Sequence, residues 1–332
     1  MTHSTQTEIL SADNVSRRFS PHVTLGDRIA TLFGTKMDRR PVMAVTNVTL
    51  SVQRGETLGL VGESGCGKST LGRMLAGILE PSEGEIRLNG APPMLAGRKT
   101  TTRIQTVFQD PFASLNPRRR VGETITEGPI THGLIQRGEA ALFAEEWLAK
   151  VGLDPAYAQR FPHQFSGGQR QRIAIARALA MRPEVLICDE PVASLDVSIQ
   201  AQILNLFLDL RQEFGLTTIF ISHDLSVVRH VSDRVAVMYL GRIVELSDAA
   251  QLYSAPRHPY TQALLDGVPK LSLDGNIGVT FKPIRGELPS PLSPPAGCAF
   301  HPRCLKATNL CRHDRPSLLP IDGDGAVACH HK

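Results

Sequence analysis

Gly62-Glu63-Ser64-Gly65-Cys66-Gly67-Lys68-Ser69-Thr70 is the stretch that decides how this chain is read. It follows the apolar run Thr57-Leu58-Gly59-Leu60-Val61 and precedes Leu71-Gly72-Arg73-Met74-Leu75-Ala76, which is patterned as a helix. Strand, glycine-rich turn, then helix is the setting in which G-x-x-x-x-G-K-[ST] becomes a phosphate cradle. Glycine reaches backbone angles closed to other residues, so successive N–H groups can turn into one concavity. The helix that follows adds the positive end of its dipole. In such a loop Lys68 reaches the β- and γ-phosphates of a nucleoside triphosphate, and the Ser69 hydroxyl ligates Mg²⁺.

The 332 residues predict one large domain with a smaller one, or two domains. A hydrophobic content of 42% supports a substantial core, and 20% charged residues with a net charge of +4 argue against a disordered chain or a strongly basic nucleic-acid binder. No apolar run approaches the ~18 residues of a membrane span. Met1-Thr2-His3-Ser4-Thr5-Gln6 lacks the basic and apolar regions of a secretory signal. The expectation is a cytoplasmic protein that reaches a membrane only through a partner. Cys66 and Cys188 sit singly beside phosphate-site motifs, whereas Cys298, Cys304, Cys311 and Cys329 cluster near the C-terminus. In a reducing compartment clustered cysteines are more often metal ligands than disulfides.

Outward from the loop, residues 9–16 and 42–52 read as strands, with a basic insertion at 20–41 between them. Within it Leu25, Ile29, Leu32 and Phe33 have the spacing of a short amphipathic helix, read as covering a sheet edge. Residues 85–89 and 103–108 are further strands, and 120–180 is mainly helical. Val185-Leu186-Ile187-Cys188-Asp189 and Thr217-Thr218-Ile219-Phe220-Ile221-Ser222 are buried strands around a helix from Ile199 to Phe214. That alternation predicts a largely parallel sheet wrapped by helices. Residues 235–245 read as a hairpin turning near Leu240-Gly241. After about residue 250 prolines break every long element, predicting a small loop-rich appendage held by something other than a large core.

Two more motifs bear on the phosphate site. Asp189 and Glu190 end an apolar strand, and ligands collect at strand carboxyl ends in open α/β sheets. There Asp189 would hold Mg²⁺ through water and Glu190 would polarise the attacking water. Phe165-Ser166-Gly167-Gly168-Gln169 opens a second helix, with Ser166 placed as its N-cap and paired glycines that admit an anion. A second phosphate-binding helix start some 100 residues beyond the first predicts a site completed by another chain.

With these motifs in this order, the chain resembles the nucleotide-binding subunits of ATP-binding cassette (ABC) transporters. The resemblance rests on the phosphate loop from Gly62 to Thr70, Gln109 in Val107-Phe108-Gln109-Asp110-Pro111, and the signature Phe165 to Gln169, with Phe where Leu is commoner. It rests also on Asp189-Glu190, on Ser194-Leu195-Asp196 and on His223 in Ile221-Ser222-His223-Asp224. It implies an α/β P-loop NTPase with a RecA-like core, an antiparallel β subdomain, a helical subdomain at about 110–180 and a small C-terminal extension. It assigns Glu190, His223 and Gln109 to catalysis, and Ser69, Gln109 and Asp189 to Mg²⁺. Gly62, Glu63, Ser64, Gly65, Cys66, Gly67, Lys68, Ser69 and Thr70 would bind ATP together with Ser166, Gly167, Gly168, Gln169 and Asp196. Phe19 is read as the aromatic that stacks on adenine, although the family more often has Tyr there and a core Phe is the alternative. A head-to-tail dimer with a second copy or a paralogous ATPase is implied, each ATP lying between one phosphate loop and the other subunit's signature. The segment after Gln109, with Phe112, Leu115, Asn116 and Arg118 to Arg120, is expected to face a membrane partner.

Residues 251–332 resemble the C-terminal extension of dipeptide and oligopeptide importer ATPases, through Pro256-Arg257-His258-Pro259-Tyr260-Thr261-Gln262, Gly286-Glu287-Leu288-Pro289 and Gly297-Cys298-Ala299-Phe300-His301-Pro302-Arg303-Cys304. The implied assembly has two membrane permeases and an extracytoplasmic substrate-binding protein, with this chain on the cytoplasmic face of the inner membrane and no nucleic acid. Its cargo would be dipeptides or oligopeptides; nickel chelates or glutathione are the alternatives within the same machinery, and a non-transport ABC ATPase is a further one. The spacing C-x5-C-x6-C-x17-C of Cys298, Cys304, Cys311 and Cys329 lacks the close pairs usual for zinc. Together with similar spacing in related importers it favours a [4Fe–4S] cluster, with Zn²⁺ as the alternative. His301, His330 and His331 are read as solvated rather than as ligands.

Overall fold

The computed structural model describes residues 7–20, 40–110, 114–268, 270–272, 278–280, 282–321 and 325–331. The helix expected on Leu25, Ile29, Leu32 and Phe33 lies outside them, as does Phe112.

β1 (Glu8–Phe19) pairs antiparallel with β2 (Val42–Gln53), with Ser11 opposite Ser51 and Phe19 opposite Val42. The next strand, β3 (Thr57–Val61), leaves this layer, and β4 (Glu83–Leu88) returns to it, giving the order β2-β1-β4. Two short strands, β5 (Met94–Leu95) and β6 (Arg98–Lys99), make a hairpin. β7 (Ile104–Val107), β8 (Val185–Asp189), β9 (Thr217–Ser222) and β10 (Arg234–Tyr239) join β3 in parallel. β11 (Arg242–Asp248) turns back antiparallel on β10. β12 (Lys270–Ser272) and β13 (Gly278–Thr280) pair with each other. β14 (Leu319–Pro320) and β15 (Ala326–Val327) extend the central sheet, whose order is β14-β15-β11-β10-β3-β9-β8-β7.

β3, β8 and β9 are buried at every position, as expected of parallel strands covered on both faces. Alternation then sorts their side chains between two cores. Leu58, Leu60, Ile187 and Met238 face the antiparallel layer and α1 (Lys68–Leu75). Val61, Leu186, Cys188 and Val237 face the other core. Helices on that second side are α2 (Val121–Thr131), α3 (Ala140–Lys150), α4 (Gly167–Leu179), α5 (Val197–Phe214) and α6 (Leu225–Val231). Trp147 of α3 stacks on Phe214 of α5 at 5.6 Å, tying the helical region to the sheet. Among the described residues no helix is long and apolar enough to cross a membrane.

Two expectations change. Leu115 is 3% exposed and belongs to the core with Val121 and Ile125, so its apolar side chain is spent on burial within this chain rather than on a partner. Asn116 and Arg118 to Arg120 by contrast stay exposed, with Arg119 paired to Glu127 and the Arg120 guanidinium 5.9 Å from the Phe161 ring. The C-terminal region is likewise no loosely held appendage. α7 (Ala249–Ser254) and α8 (Pro259–Asp266) send Leu252 and Tyr260 into the main core, where Phe300 joins them. The buried Glu245 carboxylate accepts the N–H groups of Arg257 and His258 at 2.8 and 2.9 Å, anchoring the start of α8. A last helix, α9 (Asn309–His313), carries Cys311.

Candidate functional site

Sheet order builds the site. β3, β9, β8 and β7 are consecutive neighbours, and their C-terminal ends deliver the phosphate loop, His223, Asp189-Glu190 and Gln109 to one edge. Two glycines of the loop are required by close approach. A Cβ on Gly62 would lie 2.2 Å from the Met238 carbonyl oxygen, and one on Gly67 the same distance from that of Ala44. Gly67 has φ +105° and precedes α1 with no side-chain cap, so the first-turn N–H groups stay available to an anion. Lys68 is 4% exposed, and its Nζ donates to the carbonyls of Gly62 at 2.8 Å and Glu63 at 3.0 Å. Ser64 to Thr70, Gln109 and Glu190 line one cavity of about 270 Å³.

The acid end is wired together. The Gln109 Nε2 donates to Glu190 Oε2 at 3.3 Å, and His223 Nδ1 lies 3.1 Å from the same oxygen. Glu190 is only 15% exposed at its side chain and has φ +49°, a left-handed backbone rare outside glycine. Such conformations concentrate where geometry serves a site. The Ser69 hydroxyl donates to Asp189 Oδ1 at 2.9 Å. Burial raises the Asp189 carboxyl above the ordinary Asp range, the Ser69 bond opposing this and the Glu190 charge adding to it. A buried carboxylate and a hydroxyl, both hard oxygen donors, suit Mg²⁺. The thiol of Cys66 is buried in the loop's floor, and burial pushes its pKa up.

Other expected residues lie elsewhere. Ser166 and Gln169 close a reciprocal capping box at the start of α4. A Cβ on Gly168 would meet Ile199 Cγ2 at 2.4 Å, so the signature is seated on α5. Asp196 is exposed at the start of α5 next to Val197, which is 83% exposed. None of Ser166, Gly167, Gly168, Gln169 and Asp196 lines the phosphate-loop cavity. Phe19 does not line it either; its ring is 39% exposed with the Arg17 guanidinium 5.0 Å above it, although its strand neighbour Val42 does. Gly62 and Glu63 lie just outside the lining.

Sequence reasoning missed what holds Glu63. Its carboxylate receives a bidentate pair from Arg303, Nη1 at 2.7 Å and Nη2 at 2.9 Å, and its N–H donates to the Tyr260 hydroxyl at 2.9 Å. No local spacing rule relates residues some 200 positions apart.

Cys298, Cys304, Cys311 and Cys329 are unpaired and surround one small cavity with His258, His301, His330 and His331. His331 Nε2 lies 3.6 Å from Cys311 Sγ, and the His331 N–H donates to Cys329 Sγ at 3.3 Å. Burial pushes the thiols of Cys298, Cys304 and Cys329 up, and neighbouring cysteines push them further. That donor set suits a thiophilic metal. Yet among the described residues no three His, Cys, Asp or Glu side chains are arranged as a metal's ligand shell, and in this geometry the thiols are gathered but not closed on a centre.

Fold and site together define a P-loop nucleotide-binding protein built as an ATP-binding cassette. The ABC transporter family matches residues 45–193, and the oligopeptide/dipeptide transporter C-terminal region matches 244–311. The oligopeptide transport ATP-binding protein AppF of Bacillus subtilis is 52% identical, over 87% of this chain and 89% of its own. The dipeptide transport ATP-binding protein DppF of Haemophilus influenzae is 49% identical with the same coverage of each chain. Among solved structures, the MJ0796 ATP-binding cassette in a dimeric post-hydrolysis state with ADP and Pi has a TM-score of 0.58 and 28% identity, over 73% of this chain and 99% of that one. CbiO1 of Clostridium perfringens has a TM-score of 0.61 and 27% identity, over 75% and 91%. This chain belongs to the ABC transporter ATP-binding proteins of the oligopeptide/dipeptide type.

Proposed function

We propose that this chain is an ATP-hydrolysing subunit of an importer that carries dipeptides or oligopeptides across the cytoplasmic membrane. The convergence of Gln109 and His223 on one Glu190 oxygen beside the phosphate loop carries the hydrolytic part of this reading, and the likeness of residues 244–311 to the oligopeptide/dipeptide transporter C-terminal region supports the cargo. Lys68 exchanges the carbonyls of Gly62 and Glu63 for phosphate oxygens, and Ser69 with Asp189 would hold Mg²⁺. Bound there, Mg²⁺ would neutralise charge on the phosphates during transfer. Glu190 orients a water and accepts its proton as the oxygen attacks Pγ; the bond to the bridging oxygen breaks and its electron pair leaves on ADP. His223 and Gln109 fix Glu190 and reach toward the γ-phosphate and Mg²⁺. Phe19, half-exposed opposite a cavity residue, is our candidate for stacking on adenine.

Ser166, Gly167, Gly168, Gln169 and Asp196 complete the nucleotide site of a facing subunit, a second copy or a paralogue. Their position outside this chain's own cavity supports that reading, as does the dimeric MJ0796 cassette with ADP and Pi. Two permeases and an extracytoplasmic binding protein complete the importer, with this chain peripheral on the cytoplasmic face. Residues 1–250 form the nucleotide-binding part, with its helical portion at about 110–180, and 251–332 form the extension. Drawn closer than they stand here, the four gathered thiols would take a [4Fe–4S] cluster; visible absorbance lost in Cys304→Ser supports it, and a colourless protein with stoichiometric zinc overturns it. In the complex with its permeases, Glu190→Gln keeps ATP binding and lowers phosphate release about 10³-fold. Unchanged release would reject Glu190 as the group that activates water.

A further inference from the structure

Every polar group of Glu63 is engaged, and two of its four partners, Lys68, Cys66, Tyr260 and Arg303, come from the far end of the chain. Its carbonyl accepts from Lys68 Nζ, its N–H donates to the Tyr260 hydroxyl, and its carboxylate takes the Arg303 fork. The Arg303 side chain is 4% exposed and that of Glu63 26%. A bidentate, partly buried guanidinium–carboxylate pair is directional as well as strong. The clamp is itself fixed. Arg303 Nε donates to the Arg285 carbonyl at 3.0 Å, and Tyr260 is fully buried against Tyr239 and Phe300, with ring centroids 4.6 and 5.3 Å away. A tail that needed only an anchor could attach anywhere on the sheet. This one, already anchored at Glu245 and on β11, also grips the residue whose carbonyl holds the phosphate-binding lysine.

We propose that Arg303 and Tyr260 are positioning residues for ATP: they lock Glu63, and through it the curvature of the phosphate loop and the resting place of Lys68. This inference rests on the reading of Gly62 to Thr70 as the phosphate site. Loosening the clamp lets the loop's N–H groups diverge, which weakens binding of substrate and transition state alike. KM for ATP therefore rises while kcat holds.

The test uses the full chain with its permeases, measuring KM and kcat for ATP, equilibrium binding of a fluorescent ATP analogue, and the thermal midpoint. Arg303→Gln, Glu63→Gln and Tyr260→Phe are each expected to raise KM and the analogue's Kd about fivefold, with kcat within about twofold. The Glu63→Gln/Arg303→Gln double variant should be no worse than either single change, since both cut one interaction. Should Arg303→Gln fail to fold, Tyr260→Phe removes a single hydroxyl and Glu63→Gln a single charge, and either decides the matter. An unmoved KM alongside a lowered thermal midpoint would reduce the clamp to an anchor and overturn the inference, as would additive effects in the double variant. Lys68→Ala separates the two readings: if it binds the analogue like wild type, the phosphate site itself is misassigned. If it loses binding while the clamp variants keep theirs, only this inference fails.

Discussion

Helix α1 begins behind Gly67 in the left-handed region with no side chain capping its first turn, whereas α4 begins behind Ser166 with a closed capping box. Both starts are glycine-rich and both are read as phosphate contacts. The first keeps its backbone donors unspent and faces a cavity that its own chain completes with Gln109 and Glu190. The second satisfies donors with its own Ser166 and Gln169 and stands at the surface, seated against Ile199. An uncapped helix end is costly unless something else will bond it. The loop accepts that cost where its ligand arrives, while the signature is stable alone and offers a finished edge to a second subunit.

The sharpest way to break this contrast is at Gly67. Gly67→Ala puts a Cβ 2.2 Å from the Ala44 carbonyl oxygen at φ +105°, so the backbone must move. ATP affinity of the isolated chain should fall about 100-fold by equilibrium binding, since the donors lose their common focus. Wild-type affinity in that variant would mean the uncapped turn is not the anion site.

Next comes Asp189→Asn. Burial raises this carboxyl above the ordinary Asp value of 3.8, so the native chain keeps a proton that the unfolded chain has released. Stability of the metal-free, nucleotide-free chain therefore falls as pH rises from 3.8 through the raised value, and the penalty is complete above it. Asn removes the penalty: at pH 7 the thermal midpoint should rise by a few degrees while Mg²⁺-dependent turnover disappears. A midpoint that falls would show the carboxylate to be stabilising without its cation.

The smallest effect belongs to the capped helix. Ser166→Ala should cost about 1 kcal/mol of stability in denaturant unfolding. ATP affinity of the isolated chain should not change, because Ser166 lies outside its cavity. A loss of affinity there would erase the distinction between the two helix starts.

Legibility in the sequence followed the range of the interaction. The phosphate loop is a contiguous pattern, and β3, β8, β9 and the β10–β11 hairpin lie where alternation and β-branched runs put them. Gln109, Glu190 and His223 could be nominated by motif order, but only the sheet order explains why they share one oxygen. The Arg303–Glu63 contact left no trace, because nothing periodic links positions 240 apart. The same holds for the C-terminal region, where Tyr260 and Phe300 are isolated aromatics among prolines and their burial in the main core follows no repeat. Leu115 misleads for the opposite reason: its exposed chain neighbours Asn116 and Arg118 flank a side chain that packs in the core with Val121 and Ile125.

β15 lies on β11, with Val327 opposite Glu245 and Ala326 opposite Leu246, and β14 beyond it is two residues long and ends in Pro320. Proline offers no N–H to a passing strand, so the sheet finishes in a blunt border that discourages stray pairing. Trimming the protein back to Asp248 would swap that border for the bare, seven-residue flank of β11, an invitation to clumping. Such a cut would also remove Tyr260 and Arg303, so a sticky flank and a loosened phosphate loop would arrive together.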